Sequence, residues 1–190
     1  MSVRVVIVNG KPSSGKSFFE ETCVKLTALH PTSIGWDEND DIWVGMHSTV
    51  DLVKNVAKYA GWNGEKTPKH RKFLSDLKKL LIDWDDVPFK EVQVRANRMA
   101  EDSGDWVFFV DCREPNEIQR LKEAFNATTL LIRRAGDENV ETSNQSDNNV
   151  FDYDYDLTIW NNFDIMDLQE KAKEFMKYMK GAPQYELGND

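Results

Sequence analysis

The chain predicts an α/β fold: a three-layer sandwich in which a mostly parallel sheet carries helices on both faces. Three observations point there. Short β-branched and aromatic runs alternate with longer segments of helical periodicity. The first run, Val3, Val5, Val6, Ile7 and Val8, is apolar at nearly every position, as in a strand covered on both sides. That strand leads straight into GKPSSGKS, Gly10 to Ser17, and then into a segment with Phe19, Cys23, Leu26 and Thr27 at helical spacing.

The remaining elements follow in order. Residues 32–36 suit a short second strand ending at Asp37. Ser48-Thr49-Val50-Asp51 resembles a capping box and opens a helix that stops at Gly61. Thr67-Pro68 starts the next helix, whose apolar face is Phe73, Leu77, Leu80, Leu81 and Trp84. A helix over 87–102 precedes the buried strand DWVFFV, which ends at Asp111. Residues 114–125 predict a helix, 128–132 a strand, 157–160 a short last strand and 165–179 an amphipathic final helix. Between them, residues 134–154 lack periodicity and are rich in Asn, Asp and Ser, as in a functional lid.

A length of 190 residues predicts one domain, 1–190, with a helical insertion over about 48–102 and the lid over about 134–154. The formal net charge of -9 argues against a non-specific nucleic-acid binder or a basic membrane-surface protein. Two cysteines, Cys23 and Cys112, are too few for a disulfide framework. With no signal peptide or membrane span in the sequence, a cytoplasmic location is expected.

Gly10-x-x-x-x-Gly15-Lys16-Ser17 has the form of a P-loop. Its glycines allow a tight path with inward N–H groups, Lys16 supplies a positive charge for β- and γ-phosphates, and the Ser17 hydroxyl suits Mg²⁺. The following helix turns the positive end of its dipole to the same place. The competing reading is a plain strand-to-helix turn. On the P-loop reading, Gly10, Lys11, Pro12, Ser13, Ser14, Gly15, Lys16, Ser17 and Phe18 hold ATP. Asp111, at the end of a hydrophobic run, joins Ser17 as a candidate Mg²⁺ ligand.

The residue after Asp111 is Cys112, where motor and helicase ATPases usually carry glutamate, and no Asn-Lys-x-Asp motif for guanine occurs. A small P-loop kinase remains. Such an enzyme needs cations around the acceptor and the transferred group, and Lys54, Lys66, Arg71, Arg113, Arg133 and Arg134 lie near helix starts, strand ends or the long loop. Arg133-Arg134 opens that loop as a pair suited to phosphate. Lys16, Arg133 and Arg134 are the catalytic candidates.

VDCREPNEIQRLKEAFNATTLLIRR, residues 110–134, resembles the D-x-R-x-P-N-E segment of bacteriophage-type deoxynucleoside monophosphate kinases, with its following helix, strand and arginine. LTIWNN places Asn161 where that family has an asparagine, and Lys54, Lys66 and Arg71 match a helix ending in lysine and a K-x-x-x-x-R stretch. The resemblance implies deoxynucleotide metabolism. It also implies that Arg71 and Arg113 contact the acceptor monophosphate and that the lid arginines touch the transferring phosphoryl group. The family's lid tends to carry Ser-Glu, where this chain has Ser143-Asn144.

Two further readings stay open. One is a kinase for another metabolite, with Asp37 accepting a proton from a substrate hydroxyl. The other is a non-catalytic nucleotide-binding regulator that uses the acidic, aromatic stretch 148–156 as a contact surface. Trp36, Trp43, Trp62 and Phe89 are candidates to stack on a base, whereas His30, His47 and His70 have no metal-ligand spacing. The expected partners are small nucleotides, with no nucleic acid and no membrane, and a homodimer is compatible with the sequence.

Overall fold

The structure, a computed structural model, describes residues 2–29, 42–137, 149–162 and 164–185. Five strands form one sheet in the order β2-β3-β1-β4-β5, and every pairing is parallel. They are β1 (Ser2–Asn9), β2 (Ile42–Ser48), β3 (Asp105–Asp111), β4 (Thr128–Arg133) and β5 (Leu157–Trp160). The described helices are α1 (Lys16–Leu29), α2 (Asp51–Tyr59), α3 (Pro68–Asp85), α4 (Val87–Glu101), α5 (Pro115–Phe125) and α6 (Ile165–Met179). None is long and apolar enough to cross a membrane.

β1 lies at the centre, and all of its residues are buried. Its side chains alternate between two cores. Val6 and Val8 join Phe109, Leu130 and Ile132 beneath Phe19 and Cys23 of α1 and Leu168, Phe175 and Met176 of α6. Val3, Val5 and Ile7 join Phe108 and Val110 beneath Val92 and Ala96 of α4 and Ile118, Leu121 and Phe125 of α5. This is the three-layer α/β sandwich expected from the alternating elements.

The parallel register brings the functional strand ends to one edge of the sheet. Val8 stands opposite Asp111, and Asp111 opposite Ser48. Arg133 stands opposite Trp160 on the other side. Loops leaving the carboxyl ends of parallel strands form the usual ligand crevice in such sheets.

Local capping sets where the helices begin. The Thr67 side chain accepts a hydrogen bond from the His70 N–H (3.3 Å), with Pro68 in the first turn. The Asp164 side chain likewise caps α6 through the Asp167 N–H (3.0 Å).

Two expectations change. The strand at 42–48 has no counterpart in the sequence reading, and the strand expected at 32–36 lies outside the described residues. The predicted apolar face of α3 is not a core face: α3 contributes no buried residue, and Phe73, Leu80 and Trp84 are exposed. The helix is instead peripheral, packed on α2 and α4.

Candidate phosphate-binding site

Residues 10–15 connect β1 to α1 as a tight loop. The Ser14 N–H donates to the Lys11 carbonyl (3.2 Å), and the Phe19 N–H to that of Gly15 (3.0 Å). Two glycines are required by their surroundings. Gly15 has φ +97°, and a Cβ there would collide with the Asn161 carboxamide; a Cβ on Gly10 would strike the Ile132 carbonyl. Asn161 Nδ2 also donates to the Ser14 carbonyl (2.8 Å), so the end of β5 braces the loop.

Asn9 secures the other side. Its Oδ1 accepts from the Gly10 N–H (2.8 Å), and its Nδ2 donates to the Tyr155 hydroxyl (2.7 Å) and the Arg113 carbonyl (3.3 Å). The Ser14 hydroxyl is buried beneath the loop and makes no hydrogen bond among the described residues. Ser17 is exposed in the first turn of α1.

Lys16, at the start of α1, donates through Nζ to Oδ1 of Asp111. One turn further along, Glu20 is buried. Burial, then the charge of Asp111, push its carboxyl up to about 8 against the pull of Lys16. Burial and the neighbouring Asp111 thus favour the neutral form of Glu20, which hydrogen-bonds Asp111. The result is a cation, a carboxylate and a carboxylic acid at the end of the two central strands.

Both candidate catalytic arginines flank the loop. The Arg133 guanidinium lies over the Phe151 ring (4.6 Å to its centroid) and the Trp160 ring (4.2 Å). Lys11 Nζ approaches the same Phe151 ring at 5.3 Å. Arg134 donates through Nε to the Asn161 carbonyl (3.3 Å) and through Nη1 to that of Ser13 (3.4 Å). Its own N–H is held by Asp137 Oδ2 (2.6 Å). Four cationic side chains, Lys11, Lys16, Arg133 and Arg134, thus surround one loop.

Across Asp111, the Thr49 N–H donates to the Asp111 carbonyl (3.1 Å), setting the start of α2 beside β3. Asp51 accepts from the Ser48 N–H (3.0 Å) and pairs with Lys54 (3.4 Å). His47 Nδ1 is 3.8 Å from Asp51, and burial lowers the His47 pKa, so the ring is neutral there at pH 7. Lys66 and Arg71 stand together, exposed, at the start of α3, where Arg71 Nε donates to the Lys66 carbonyl (3.1 Å). The Arg113 side chain is exposed just beyond β3.

A cavity of about 200 Å³ opens on this side, lined by Thr49, Ile82, Asp86, Phe89, Asn116 and Glu117 among others. Arg120 covers one face of Phe89 (4.0 Å) and pairs with Asp86. Glu117 accepts from Lys78 Nζ (2.7 Å) and from the Cys112 thiol (3.2 Å), and burial raises the pKa of that thiol. Both cysteines are buried thiols.

The structure therefore brings the 10–15 loop, Lys16, Asp111, Arg133 and Arg134 to the carboxyl end of the sheet, with Lys54 and Arg113 at the same end. Asp37 lies outside the described residues, as do positions 138–148 of the expected lid. Residues 149–156 are anchored on one side, while Asp152, Asp154 and Asp156 stay exposed. Val150 is buried, the Tyr155 hydroxyl donates to its carbonyl (2.9 Å), and Asp156 accepts from the N–H and hydroxyl of Thr129 (2.8 Å each). Asn9, Glu20 and Phe151 escaped the sequence reading. Only Glu20 left a trace, a carboxylate one helical turn after Lys16.

No family model matches the chain, and a search of curated proteins finds no match. Among solved structures, the chain has a likeness to a "putative kinase" from Chloroflexus aurantiacus J-10-fl. The two share 11% sequence identity with a TM-score of 0.49, over 97% of this chain and 100% of the other. At that distance the likeness carries no functional argument, and the account rests on the site's own geometry.

Proposed function

We propose that the chain is a P-loop kinase that transfers the γ-phosphoryl group of ATP, with Mg²⁺, to a nucleoside or deoxynucleoside monophosphate. The observation that carries this reading is the pairing of Lys16, in the first turn of α1, with Asp111 at the end of β3. The residues fit a triphosphate and its metal. The glycines leave no room for a Cβ beneath the loop, the Ser14 hydroxyl awaits a partner, and the hard oxygen donors Ser17 and Asp111 suit Mg²⁺. When bound, Mg²⁺ neutralises charge on the β- and γ-phosphates.

The chain's own residues divide the work. Backbone N–H groups of residues 10–15 and the start of α1 hold the phosphates. Lys16 would leave Asp111 for phosphate oxygens, and the Asp111 carboxylate would then be available to hold the metal. Neutral Glu20 holds that carboxylate in place by donating to it. Arg133, kept in plane by two rings, and Arg134 meet charge developing on the transferred group. Arg71 and Arg113 hold the acceptor phosphate, and the cavity beside Thr49 and Phe89 is of a size for a nucleobase.

The direct test incubates purified protein with ATP, Mg²⁺ and each natural monophosphate in turn, detecting ADP. Acceptor-dependent ADP with one or a few monophosphates supports the reading. ADP with none of them, alongside intact ATP binding, points to another acceptor or to a nucleotide-binding regulator.

A further inference from the structure

Along α3, Phe73, Leu77, Leu80 and Trp84 follow at steps of four, three and four residues, the spacing that keeps side chains on one flank of a helix. Phe73 is 38% exposed, Leu80 63% and Trp84 80%. The other flank of α3 is engaged, since Lys78 donates to Glu117 (2.7 Å) and Ile82 lines the cavity beside α5. A single exposed leucine needs no explanation, but an aligned phenylalanine, leucine and tryptophan form an apolar patch.

The charges of α3 run against its own dipole. Lys69, Arg71 and Lys72 stand at the amino end, and Asp83 and Asp85 at the carboxyl end, with Asp86 just beyond. Lys72 is paired with Asp76, Asp85 with Lys90 and Asp86 with Arg120, but Lys69 and Asp83 still place at each end charge of the sign that its peptide dipoles disfavour. An antiparallel copy of the same helix reverses both relations, laying an acidic end against a basic one and opposing the two dipoles.

The apolar stripe has the matching symmetry. The midpoint of Phe73 and Trp84 and the midpoint of Leu77 and Leu80 both fall between Lys78 and Lys79. A twofold axis at that point sets Phe73 against the partner's Trp84 and Leu77 against the partner's Leu80, as an isologous contact requires. We propose that this flank of α3 is the contact surface of a homodimer, two copies packed antiparallel about that axis.

The size of the surface sets the strength. An 18-residue helix is about 27 Å long, and one helix pair buries less than the roughly 800 Å² per partner of a standard interface. The dimer is therefore a micromolar association and not a permanent one. It leaves the cavity flank of α3 open, and it does not depend on the phosphoryl-transfer reading.

Sedimentation velocity of the full chain, from low micromolar to hundreds of micromolar, tests the proposal. Wild type is expected to shift from monomer to dimer across that range. Leu80→Asp and Trp84→Asp are each expected to stay monomeric with unchanged circular dichroism, because both side chains are exposed in the monomer. A wild-type chain that remains monomeric throughout overturns the proposal, and so does a dimer that survives both substitutions. Charge reversal tests the orientation without touching the apolar stripe. Asp83→Lys should weaken the dimer severalfold, and adding Lys69→Asp should restore it. A double variant no tighter than the single one rules out the antiparallel arrangement.

Discussion

Lys16 donates to Asp111 across 95 residues of sequence, joining the first turn of α1 to the end of β3. Neither partner is chosen by local structure. The contact exists because β1 and β3 are neighbours with Val8 opposite Asp111, so the loop after one strand meets the acid ending the other. In this structure each group satisfies the other; on the proposed function, nucleotide and metal would give each a new partner.

Replacement of Lys16 follows from that exchange. Lys16→Ala should abolish most nucleotide affinity in isothermal titration, because no other cation enters from the first turn of α1. Ser17→Ala should weaken binding with Mg²⁺ while leaving metal-free binding close to normal. Unchanged ATP affinity in Lys16→Ala would remove the phosphate cradle from the account.

Glu20 gives a pH signature to the nucleotide-free protein. The native state keeps the Glu20 proton up to about 8, whereas the unfolded chain releases it near 4.5. Between those values the unfolded state binds fewer protons, so this contribution to stability is full below pH 4.5 and is lost as pH rises through about 8. Glu20→Gln keeps the shape and a donor without the titration. Its melting temperature relative to wild type should therefore rise steadily from pH 5 to 8, and a constant difference would show that Glu20 is ionised in the fold.

Asn161 has the closest view of the loop. Asn161→Ala removes the donor to the Ser14 carbonyl and should cost about 1 kcal/mol of stability. Gly15→Ala should lose nucleotide binding more severely, because both its φ and the Asn161 carboxamide oppose a Cβ. Combining Gly15→Ala with Asn161→Ala should recover little, since the positive φ remains. Full recovery in thermal melts and ATP titrations would assign the whole effect to the collision.

The arginines divide by substrate. Arg71→Ala or Arg113→Ala should raise the acceptor KM roughly ten- to a hundredfold and leave ATP affinity nearly intact, as loss of a charge-assisted contact worth about 1.5–3 kcal/mol predicts. Arg133→Ala with Arg134→Ala should instead lower kcat on the order of a thousandfold, with smaller changes in either KM. Steady-state kinetics with both substrates varied separates the two patterns; equal losses of ATP affinity in all four would make these residues structural.

What could be seen beforehand was whatever is written locally. β1, the P-loop and α1 are contiguous, and the apolar strand, the two glycines and Lys16-Ser17 announce themselves within a few turns of chain. DWVFFVD, buried from Val107 to Val110, is equally plain. β2 is harder to see. It is an edge strand with only Ile42 and His47 buried, and Gly45 interrupts its apolar run because Met99 packs against that position. Glu20 looks like any surface glutamate of α1 until β3 arrives beside it with Asp111. The α3 stripe misleads for the opposite reason: its periodicity is that of a covered face, yet Phe73, Leu80 and Trp84 are exposed.

Transfer of labelled γ-phosphoryl from ATP to a nucleoside monophosphate, followed side by side in wild type and Lys16→Ala, tests the central claim most directly. The account predicts a labelled diphosphate product that requires Mg²⁺ and is absent in Lys16→Ala. Labelled product formed equally by both proteins, or none with any natural monophosphate from a wild-type chain that binds ATP, would contradict it.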